Sequence, residues 1–292
     1  MDRSDPGASG GTTVYDELVR NALAMRRPPE RPGDRRLGSG ELVDVVQHGP
    51  VLEALLDEPM DRREIESQLD VSKATSHRFT RWLTDRGFAE KVDGRFRLTG
   101  TGEVVAEEVL RLERNVQTAD DLAPLLDLIC ADHKEFVVEP FADATVTEAT
   151  PEAPYAPVDR FVELLRASST FRGFNTTPML PLSVETFAET LFAGTDVEQV
   201  YLPATVERLF EVAPERARAA VERGDLTLLT REALPYGLAI FDDAVAIGGY
   251  DEETGTLRVL VDTDDAIGRE WAERTYAVYR SHADPLTETT LG

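Results

Sequence analysis

The stretch from Asp61 to Leu98 constrains the fold of this chain most, because it lays out consecutive local structures in 38 positions. Glu64 follows Asp61 at the spacing of a capping box, in which the two residues cap each other's backbone at the start of a helix. Ser72 is a good N-cap for a second helix. Gly87 is suited to end that helix, because glycine readily takes the left-handed conformation. The pattern predicts two short helices in succession.

A β-hairpin is predicted directly after these helices. Residues 88–91 and 95–98 alternate at period 2, as strands do. Val92-Asp93-Gly94 lies between them, and its Asp-Gly pair supplies the positive φ values of a tight hairpin turn. Two helices separated by the turn Asp70-Val71-Ser72 and followed by a small hairpin predict a winged helix-turn-helix, with the hairpin as the wing.

The second helix has an inner and an outer face. Residues at 3- and 4-residue spacing are predicted to face the core: Ser76, Phe79, Thr80 and Leu83. The outer face keeps basic and hydroxyl side chains, which fit a major groove about 12 Å wide. The sequence therefore predicts DNA contacts from this helix and the wing, made by Ser72, Lys73, Thr75, His77, Arg78, Arg81, Lys91, Arg95 and Arg97.

The basic residues of the second helix and the wing favour a nucleic-acid partner, whereas the net negative charge of the whole chain does not. The chain has 55 acidic and 31 basic residues, a formal net charge of −24, and only three lysines. Lys73 and Lys91 lie in the second helix and the wing, so a positive stripe persists on a negative protein. Bulk acidity is typical of a halophilic archaeon, because molar salt shortens the Debye length to roughly 3 Å and screens acid repulsion. Overall acidity thus indicates habitat more than partner.

At 292 residues the chain is long enough for two domains, each with its own core. Residues 1–116 hold 18 basic and 22 acidic side chains, whereas 117–292 hold 13 and 33, so the two halves differ in kind. The predicted organisation is a flexible N-terminal arm at 1–40 with a short helix near Thr13–Met25, a winged helix-turn-helix domain at 41–100, a connecting or dimerisation helix at 101–123, and an α/β regulatory or dimerisation domain at 124–292. Six arginines between 20 and 36 leave two interpretations of the arm: contact with DNA phosphates, or a solvated linker.

Two helical segments flank the predicted helix-turn-helix. Residues 41–56 carry apolar residues at helical spacing, interrupted at Gly49-Pro50, where a break is expected. After the wing, an apolar stripe recurs at helical spacing: Val104, Val105, Val109, Leu112 and Val116. Such a stripe needs a partner, which is either this domain or a second copy of the chain.

After Pro124 the pattern changes to short β-like runs alternating with helices. Strands are predicted at 136–138, 171–175, 199–202, 226–229, 237–241, 245–248 and 257–261, and helices at 158–167, 184–192, 204–221 and 266–281. Long connections between the earlier strands favour parallel crossovers, and short turns between the last three favour an antiparallel meander. The predicted fold class is α+β: a winged helix-turn-helix domain plus an α/β domain with a mixed sheet.

Several function classes fit the sequence poorly. A single Cys130 excludes an internal disulfide and a thiolate zinc cluster. No apolar run approaches the ~20 residues of a membrane span, so a soluble cytoplasmic protein is expected. The sequence has no Gly-rich phosphate loop, no Gly-x-Ser-x-Gly and no His-x-Lys pair, so we expect no catalytic residues, cofactor or metal. The cluster Asp262, Asp264 and Asp265 fits a solvated turn better than a cation site, given 55 acids.

The segment from Arg172 to Pro178 ends a predicted strand and enters a loop, a place where α/β domains often bind ligands. A small-molecule site that uses Arg172, Asn175 and Thr176 is one interpretation. Turn formation and helix capping by Asn175 and the threonines are the other.

Three motifs carry a family resemblance: Val-Ser-x-x-Thr at the turn, Arg86-Gly87-Phe88 after the second helix, and Leu98-Thr99-x-x-Gly102 after the wing. About a quarter of the chain thereby resembles the DNA-binding domain of ArsR- and TrmB-type archaeal regulators. The C-terminal half resembles the α/β regulatory domain of haloarchaeal regulators related to the methanogenesis filament regulator. One departure is that Ser76 and Thr80 stand where such helices usually place Val and Leu.

This resemblance implies a homodimeric transcription factor that senses a metabolite. The positions matching the family's base and phosphate contacts are Ser72, Lys73, Thr75, His77 and Arg78 on the helix, and Arg95 and Arg97 on the wing. We therefore predict a sequence-specific DNA-binding transcriptional regulator of a halophilic archaeon, with double-stranded DNA, a second copy of the chain and a small-molecule effector as partners. Two alternatives stay open: a winged-helix adaptor that binds protein, and a C-terminal enzyme of unknown type that depends on Arg172 or Asp242.

Overall fold

A computed structural model describes residues 38–129, 136–177, 195–212, 214–251 and 253–286. Within these ranges, residues up to 117 form one compact unit and residues from Thr118 onward form another. Several predicted features lie outside the described residues: residues 1–37 of the arm with the helix near Thr13–Met25, Cys130, and the helix at 184–192. The domain boundaries drawn from the sequence stay predictions.

The first unit is a winged helix-turn-helix, which confirms the predicted fold. Its elements are α1 (Ser39–Gln47), α2 (Gly49–Asp57), α3 (Arg62–Gln68), α4 (Lys73–Asp85), β1 (Ala89–Val92), β2 (Arg95–Leu98) and the start of α5 (Gly100–Asp121). Its core draws on every one of these elements, and Val51, Leu52, Ile65 and Leu83 are fully buried. Helices α1 and α2 are separated at His48, because Pro50 favours the first turn of a new helix.

Local chemistry explains where these elements begin and end. Asp61 accepts hydrogen bonds from the backbone of Arg63 (2.7 Å) and Glu64 (3.0 Å), and Glu64 Oε2 accepts one from the Asp61 N–H (2.6 Å), so the capping box is complete. Asp93 and Gly94 both have positive φ, at 50° and 87°, as a two-residue hairpin turn requires. The capping and turn residues predicted from the sequence thus act as expected.

The second unit is an α/β domain built on a mixed eight-stranded sheet, in the order β10-β6-β5-β4-β7-β8-β9-β3. Its strands are β3 (Thr145–Glu148), β4 (Thr170–Asn175), β5 (Asp196–Tyr201), β6 (Leu226–Thr230), β7 (Gly237–Ile240), β8 (Val245–Tyr250), β9 (Leu257–Thr263) and β10 (Asp284–Pro285). Strands β4, β5 and β6 are parallel, and β7, β8 and β9 form an antiparallel meander. Both arrangements were predicted, and the mixed sheet is confirmed.

Helices cover both faces of this sheet and divide its core in two. Described helices are α6 (Ala123–Ile129), α7 (Ala156–Arg166), α8 (Pro203–Val212), α9 (Pro214–Arg223) and α10 (Ala266–Ser281). One core joins α6 and α10 to the sheet through residues such as Phe174 and Trp271, and the other joins α7, α8 and α9 through residues such as Phe161 and Phe171. Phe171 and Phe174 take opposite faces because side chains alternate along a strand.

Two local predictions in this domain are wrong, and an edge strand was not predicted. Residues 136–138 are not a strand, and the chain enters a short 3-10 helix at Glu139–Phe141 that contains Pro140, which cannot donate to a strand ladder. The edge strand β3 was missed because its sequence, TVTE, is mostly polar and only half-buried at its centre. The helix predicted at 204–221 is two helices, since Pro214 cannot continue the first.

Candidate nucleic-acid interface

Helix α4 presents the predicted DNA-reading side chains to solvent. Ser72 caps it by accepting a hydrogen bond from the Thr75 N–H at 3.2 Å. Thr75 is half-buried, whereas the other helix candidates are exposed: Ser72, Lys73, His77, Arg78 and Arg81. The opposite side of α4 is buried in the domain core. Its residues Ser76, Thr80 and Leu83 each have 0% exposure. The structure therefore separates a basic outer face from a buried inner face.

The two hydroxyls that replace Val and Leu on the inner face are both hydrogen-bonded. Ser76 Oγ donates to the carbonyl oxygen of Arg62 at 3.0 Å, and Thr80 Oγ1 donates to the carbonyl oxygen of Ser76 at 3.0 Å. Thr80 Oγ1 also accepts a hydrogen bond from Arg62 Nε at 3.2 Å. Buried polar groups cost little when they are paired in this way. The departure from the family pattern thus replaces apolar packing with a hydrogen-bonded link from α4 to the start of α3.

An aromatic cluster supports the second half of α4. The Trp82 indole stacks on the His48 ring at 3.9 Å between centroids, and Phe79 and Phe88 meet this pair edge-on at 5.2 and 5.6 Å. The guanidinium of Arg86 lies 5.0 Å from the Trp82 centroid, a cation–π contact. Helix α4 is therefore held at both ends, by hydrogen bonds near α3 and by stacked rings near its C-terminus.

The basic residues of the wing are exposed, and its two arginines have acidic partners. Arg95 forms an ion pair with Glu64 of α3, and Arg97 forms one with Glu90 of β1 at 2.7 Å. The Lys91 ammonium lies 5.5 Å from the centroid of Phe96. Exposed pairs of this kind are worth about 0–1 kcal/mol, so a phosphate can take the place of either carboxylate.

The cations of α4 differ in whether an acidic side chain pairs with them. Arg81 has a long ion pair with Asp85 at 3.4 Å within its own helix. Lys73 and Arg78 have no acidic partner among the described residues, and Arg78 extends over the ring of Phe79 at 5.9 Å. Neither side chain therefore has to release an acidic partner before it binds an anion or a base edge.

Arg62, which the sequence analysis did not single out, lies among the candidate residues. Besides its bond to Thr80, its guanidinium lies 5.6 Å from the centroid of Phe96, so it connects α4 with the wing. Arg62 is exposed, as is its neighbour Arg63. The Arg-Arg pair directly after the N-cap Asp61 was the available signal, because the first helix of a helix-turn-helix crosses the DNA backbone.

The three residues proposed for a ligand site do not come together. Arg172 pairs with Glu273 of α10 on one face of the sheet, whereas the Asn175 amide points to the other face and donates to Tyr250 Oη at 2.6 Å. Thr176 contributes its carbonyl oxygen, which accepts a hydrogen bond from Thr205 Oγ1 at 3.1 Å. An odd spacing along a strand puts two side chains on opposite faces, so Arg172 and Asn175 cannot share one pocket.

The acidic cluster after β9 has structural partners. Asp262 is nearly fully buried and receives two hydrogen bonds from Arg160, at 2.7 and 3.1 Å, and Asp265 caps α10 through the Ile267 N–H. The Asp262 side chain accordingly raises the pKa of the Arg160 guanidinium. Within the described ranges, no group of three His, Cys, Asp or Glu side chains is placed to hold a metal ion. The same ranges contain no helix both long and apolar enough to cross a membrane.

Two family models match the chain, one in each domain. Residues 37–121 match the HVO_A0261 N-terminal domain, and residues 154–282 match the middle domain of the methanogenesis regulatory protein FilR1. These matches confirm the resemblance to archaeal winged-helix regulators and to the methanogenesis filament regulator. No match was found among curated proteins.

Similar solved structures include an archaeal chromatin protein and two bacterial proteins. TrmBL2, an archaeal chromatin protein with a novel mode of DNA binding, is 14% identical, with a TM-score of 0.38 over 85% of this chain and 100% of its own. NucT from Helicobacter pylori is 11% identical, with a TM-score of 0.39 over 49% of this chain and 99% of its own. Nuc from Salmonella typhimurium, a phospholipase D family member, is 13% identical, with a TM-score of 0.35 over 49% and 97%. TM-scores this low do not establish a common function.

Proposed function

We propose that this chain, which joins an HVO_A0261-type N-terminal domain to a FilR1-type middle domain, is a sequence-specific DNA-binding transcriptional regulator. The observation that carries the proposal is the division of α4 into a fully buried inner face and an exposed outer face that bears Lys73, His77 and Arg78. A chain with a net charge of −24 keeps this basic surface although acidic residues dominate elsewhere. Such a surface is the electrostatic signature of a nucleic-acid site.

The contacts divide into those that read bases and those that position the protein. Lys73 and Arg78 have unpaired donors, and both residue types recognise guanine O6 and N7 in the major groove. The Thr75 side chain offers a methyl and a hydroxyl group beside them. Phosphate contacts are assigned to Ser72, Arg81 and the wing, through Lys91, Arg95 and Arg97, with Arg62 and Arg63 as additional donors.

High salt increases the share of the binding free energy that contacts to base edges must supply. In the molar salt of a haloarchaeal cytoplasm, which the acidic composition indicates as the habitat, counterion release contributes little to affinity. Hydrogen bonds to base edges and groove shape must then supply most of the binding free energy. In molar salt, a helix with two well-placed cations that lack acidic partners is better suited to binding DNA than a broad basic surface is.

The regulator is proposed to act as a homodimer. On α5, Val104, Leu112 and Val116 are 58%, 48% and 54% exposed, and α1 exposes Leu42 and Val43 at 52% and 53%. Clusters of exposed large apolar residues on two helices are typical of an interaction surface. A second copy on this surface would present two α4 helices to half-sites about one DNA turn, roughly 34 Å, apart.

One observation favours a rival function. The ion pairs Arg95–Glu64 and Arg97–Glu90 neutralise part of the wing, as would be expected of a winged helix that binds protein. The two functions differ in what they need from α4. DNA binding requires the charges of Lys73 and Arg78, whereas an adaptor that uses the wing does not.

Selection of duplexes from a random pool, followed by fluorescence anisotropy in concentrated KCl, tests the proposal. We expect a recurring sequence, and a loss of affinity of roughly 30-fold or more for the double variant Lys73→Ala, Arg78→Ala, since each base-reading pair is worth about 1–3 kcal/mol. The control is Arg223→Ala, which removes an exposed cation from α9. Recovery of no sequence, or equal binding by the double variant, would refute the proposal.

A further inference from the structure

Ala74 lies at the centre of the exposed face of α4, although it was not among the residues predicted to contact DNA. Each residue of a helix is turned by about 100° from the one before it, so positions 74 and 83 lie about 180° apart. Leu83 is fully buried, and Ala74 is exposed. The Ala74 methyl group therefore points directly away from the core, toward the side from which a duplex would approach.

The side chains around Ala74 are larger and carry hydrogen-bond donors. Lys73 and His77 lie on one side of it and Arg78 lies on the other, and all three are exposed. His77 follows Ala74 by three positions and Arg78 follows it by four, so both are its direct neighbours on the helix surface. Ala74 is thus a small apolar position surrounded by polar and cationic side chains.

Ala74 is also in the first turn of α4, which begins at Lys73. In helix-turn-helix proteins the N-terminal residues of the recognition helix contact the base edges. Ser72 accepts a hydrogen bond from the Thr75 N–H at 3.2 Å and so fixes the backbone of this turn. Because position 74 carries only a methyl group, the backbone of the first turn can come close to the floor of a major groove.

A methyl group neither donates nor accepts a hydrogen bond, so it distinguishes bases by apolar contact alone. The C5-methyl of thymine is the apolar group that bases present in the major groove, and alanine is among the residues that contact it. From these observations we propose that Ala74 is a specificity-determining residue, which contacts the C5-methyl of a thymine close to the base that Arg78 binds. The inference rests on the proposed function, because it names a base that the same helix reads.

Thr75 carries the other methyl group in this turn. Its side chain is half-buried, and its hydroxyl lies 3.1 Å from Ser72 Oγ, so Thr75 is turned toward the N-cap. Position 75 lies about 100° further around the helix than Ala74, which brings it closer to the core. The thymine contact therefore belongs to Ala74. Thr75→Ser removes the Thr75 methyl group and keeps the hydroxyl, so it separates the two residues experimentally.

The test replaces each thymine of a selected operator, one at a time, by uracil, which lacks only the C5-methyl group. Fluorescence anisotropy in concentrated KCl gives the affinity of the full chain for each duplex. We expect one thymine in each half-site at which uracil lowers the affinity about fourfold, the worth of one buried methyl group. In Ala74→Gly this difference should disappear, whereas in Thr75→Ser it should persist. Glycine also weakens α4 itself, but that loss cancels in the ratio of the thymine and uracil affinities.

Ala74→Leu tests the close approach of the helix independently. Leucine favours a helix and position 74 is exposed, so this variant should stay folded. The larger side chain should hold α4 away from the base edges, lower the operator affinity at least 10-fold and abolish the difference between thymine and uracil. The matched control is Ala123→Leu, the same substitution at an exposed position of α6, which should bind as the native protein does.

Four results would overturn the inference: no thymine whose methyl group affects binding, a uracil effect that persists in Ala74→Gly, a uracil effect that disappears in Thr75→Ser, or unchanged operator binding by Ala74→Leu. Failure of the proposed function is distinguishable from these. The native chain would then select no operator at all, and both proposals would be refuted together.

Discussion

The exposed carboxylate of Asp242 joins two segments of the C-terminal domain. It accepts hydrogen bonds from the N–H and hydroxyl groups of Ser169 and Thr170, at 2.6 to 3.1 Å, and thereby ties the start of β4 to the turn between β7 and β8. The hydrogen bond from the Thr170 hydroxyl, followed by those from Ser169, lowers the pKa of Asp242 well below its usual range. These contacts therefore fit a structural role for Asp242 better than the catalytic role that the enzyme alternative gave it.

Because the folded-state pKa of Asp242 is lowered, its stabilisation should be complete above the unfolded-state pKa and lost as the pH falls below about 5. Asp242→Asn should reduce the free energy of unfolding by about 1 kcal/mol at neutral pH, a value reduced for solvent screening. The difference from the native protein should shrink in acid. Thermal unfolding at pH 7 and pH 2 measures this, with the adjacent Asp243→Asn as the control, and a pH-independent difference would contradict it.

Gly102 explains part of the sequence motif that follows the wing. Thr99 Oγ1 donates to the Gly87 carbonyl oxygen at 2.7 Å and accepts a hydrogen bond from the Gly102 N–H at 3.1 Å. This brings the start of α5 against the backbone of Phe88. A Cβ at Gly102 would overlap the Phe88 carbonyl oxygen, whereas one at Gly100 would meet nothing within 4 Å.

Gly102→Ala should therefore destabilise the winged helix by about 1–3 kcal/mol, as overpacking does. Gly100→Ala, only two residues away, should be neutral or stabilising by up to about 1 kcal/mol, because alanine favours the helix and restricts the unfolded chain. Chemical denaturation of both variants gives the comparison. Equal stability of the two proteins would show that the close approach at Phe88 is not rigid.

The position of helix α4 depends on its hydrogen bonds to the start of α3. Thr80→Val would retain the shape of the side chain but leave Arg62 Nε without its acceptor. We expect a loss of about 1 kcal/mol in stability and weaker operator binding, because Arg62 would no longer be fixed between α4 and the wing. Thr84→Val is the control, since the Thr84 hydroxyl bonds only to carbonyl oxygens of its own helix. Operator affinity unchanged in Thr80→Val would mean that the link does not position α4.

The wing should bind DNA more tightly when its acidic partner is removed. Glu90→Gln frees Arg97 from its ion pair, so operator affinity should rise roughly threefold to tenfold at low salt, and the slope of log affinity against log salt should steepen by up to about 0.9. In molar KCl the gain should vanish, because screening already weakens the pair. Glu58→Gln, outside the wing, is the control. A loss of affinity in Glu90→Gln would indicate that the carboxylate orients Arg97 instead of competing for it.

How well the sequence predicted each element depends on the range of the interactions that form it. The capping box at Asp61, the Asp93-Gly94 turn and the alternation of the wing act within a few residues, so the sequence displays them directly. The edge strand β3 exists because Val146 and its neighbours pair with β9 more than 100 residues later. The partners of Arg95 and Arg172, in α3 and α10, likewise depend on tertiary structure. The sequence thus predicted the helices and the wing of the first unit well, but not which distant residues Arg95 and Arg172 contact.

The chain combines a winged helix with an acidic α/β domain, and the proposed function requires that the molecule form a dimer. Leu112→Arg would place a charge in the apolar stripe of α5 without disturbing the core, because Leu112 is already 48% exposed. We expect this variant to be monomeric by light scattering in concentrated KCl, and to bind a full operator at least 10-fold more weakly. Arg111→Ala, adjacent on α5, should remain dimeric. A dimeric Leu112→Arg protein would exclude this stripe as the interface.

The most direct test of the central claim is hydroxyl-radical footprinting of a selected operator in concentrated KCl. The account predicts two protected patches about one DNA turn apart, both lost when Lys73 and Arg78 are replaced by alanine and both retained in Arg223→Ala. Absence of any protected sequence, or protection that survives removal of these two cations, would contradict the assignment of α4 as the helix that reads DNA.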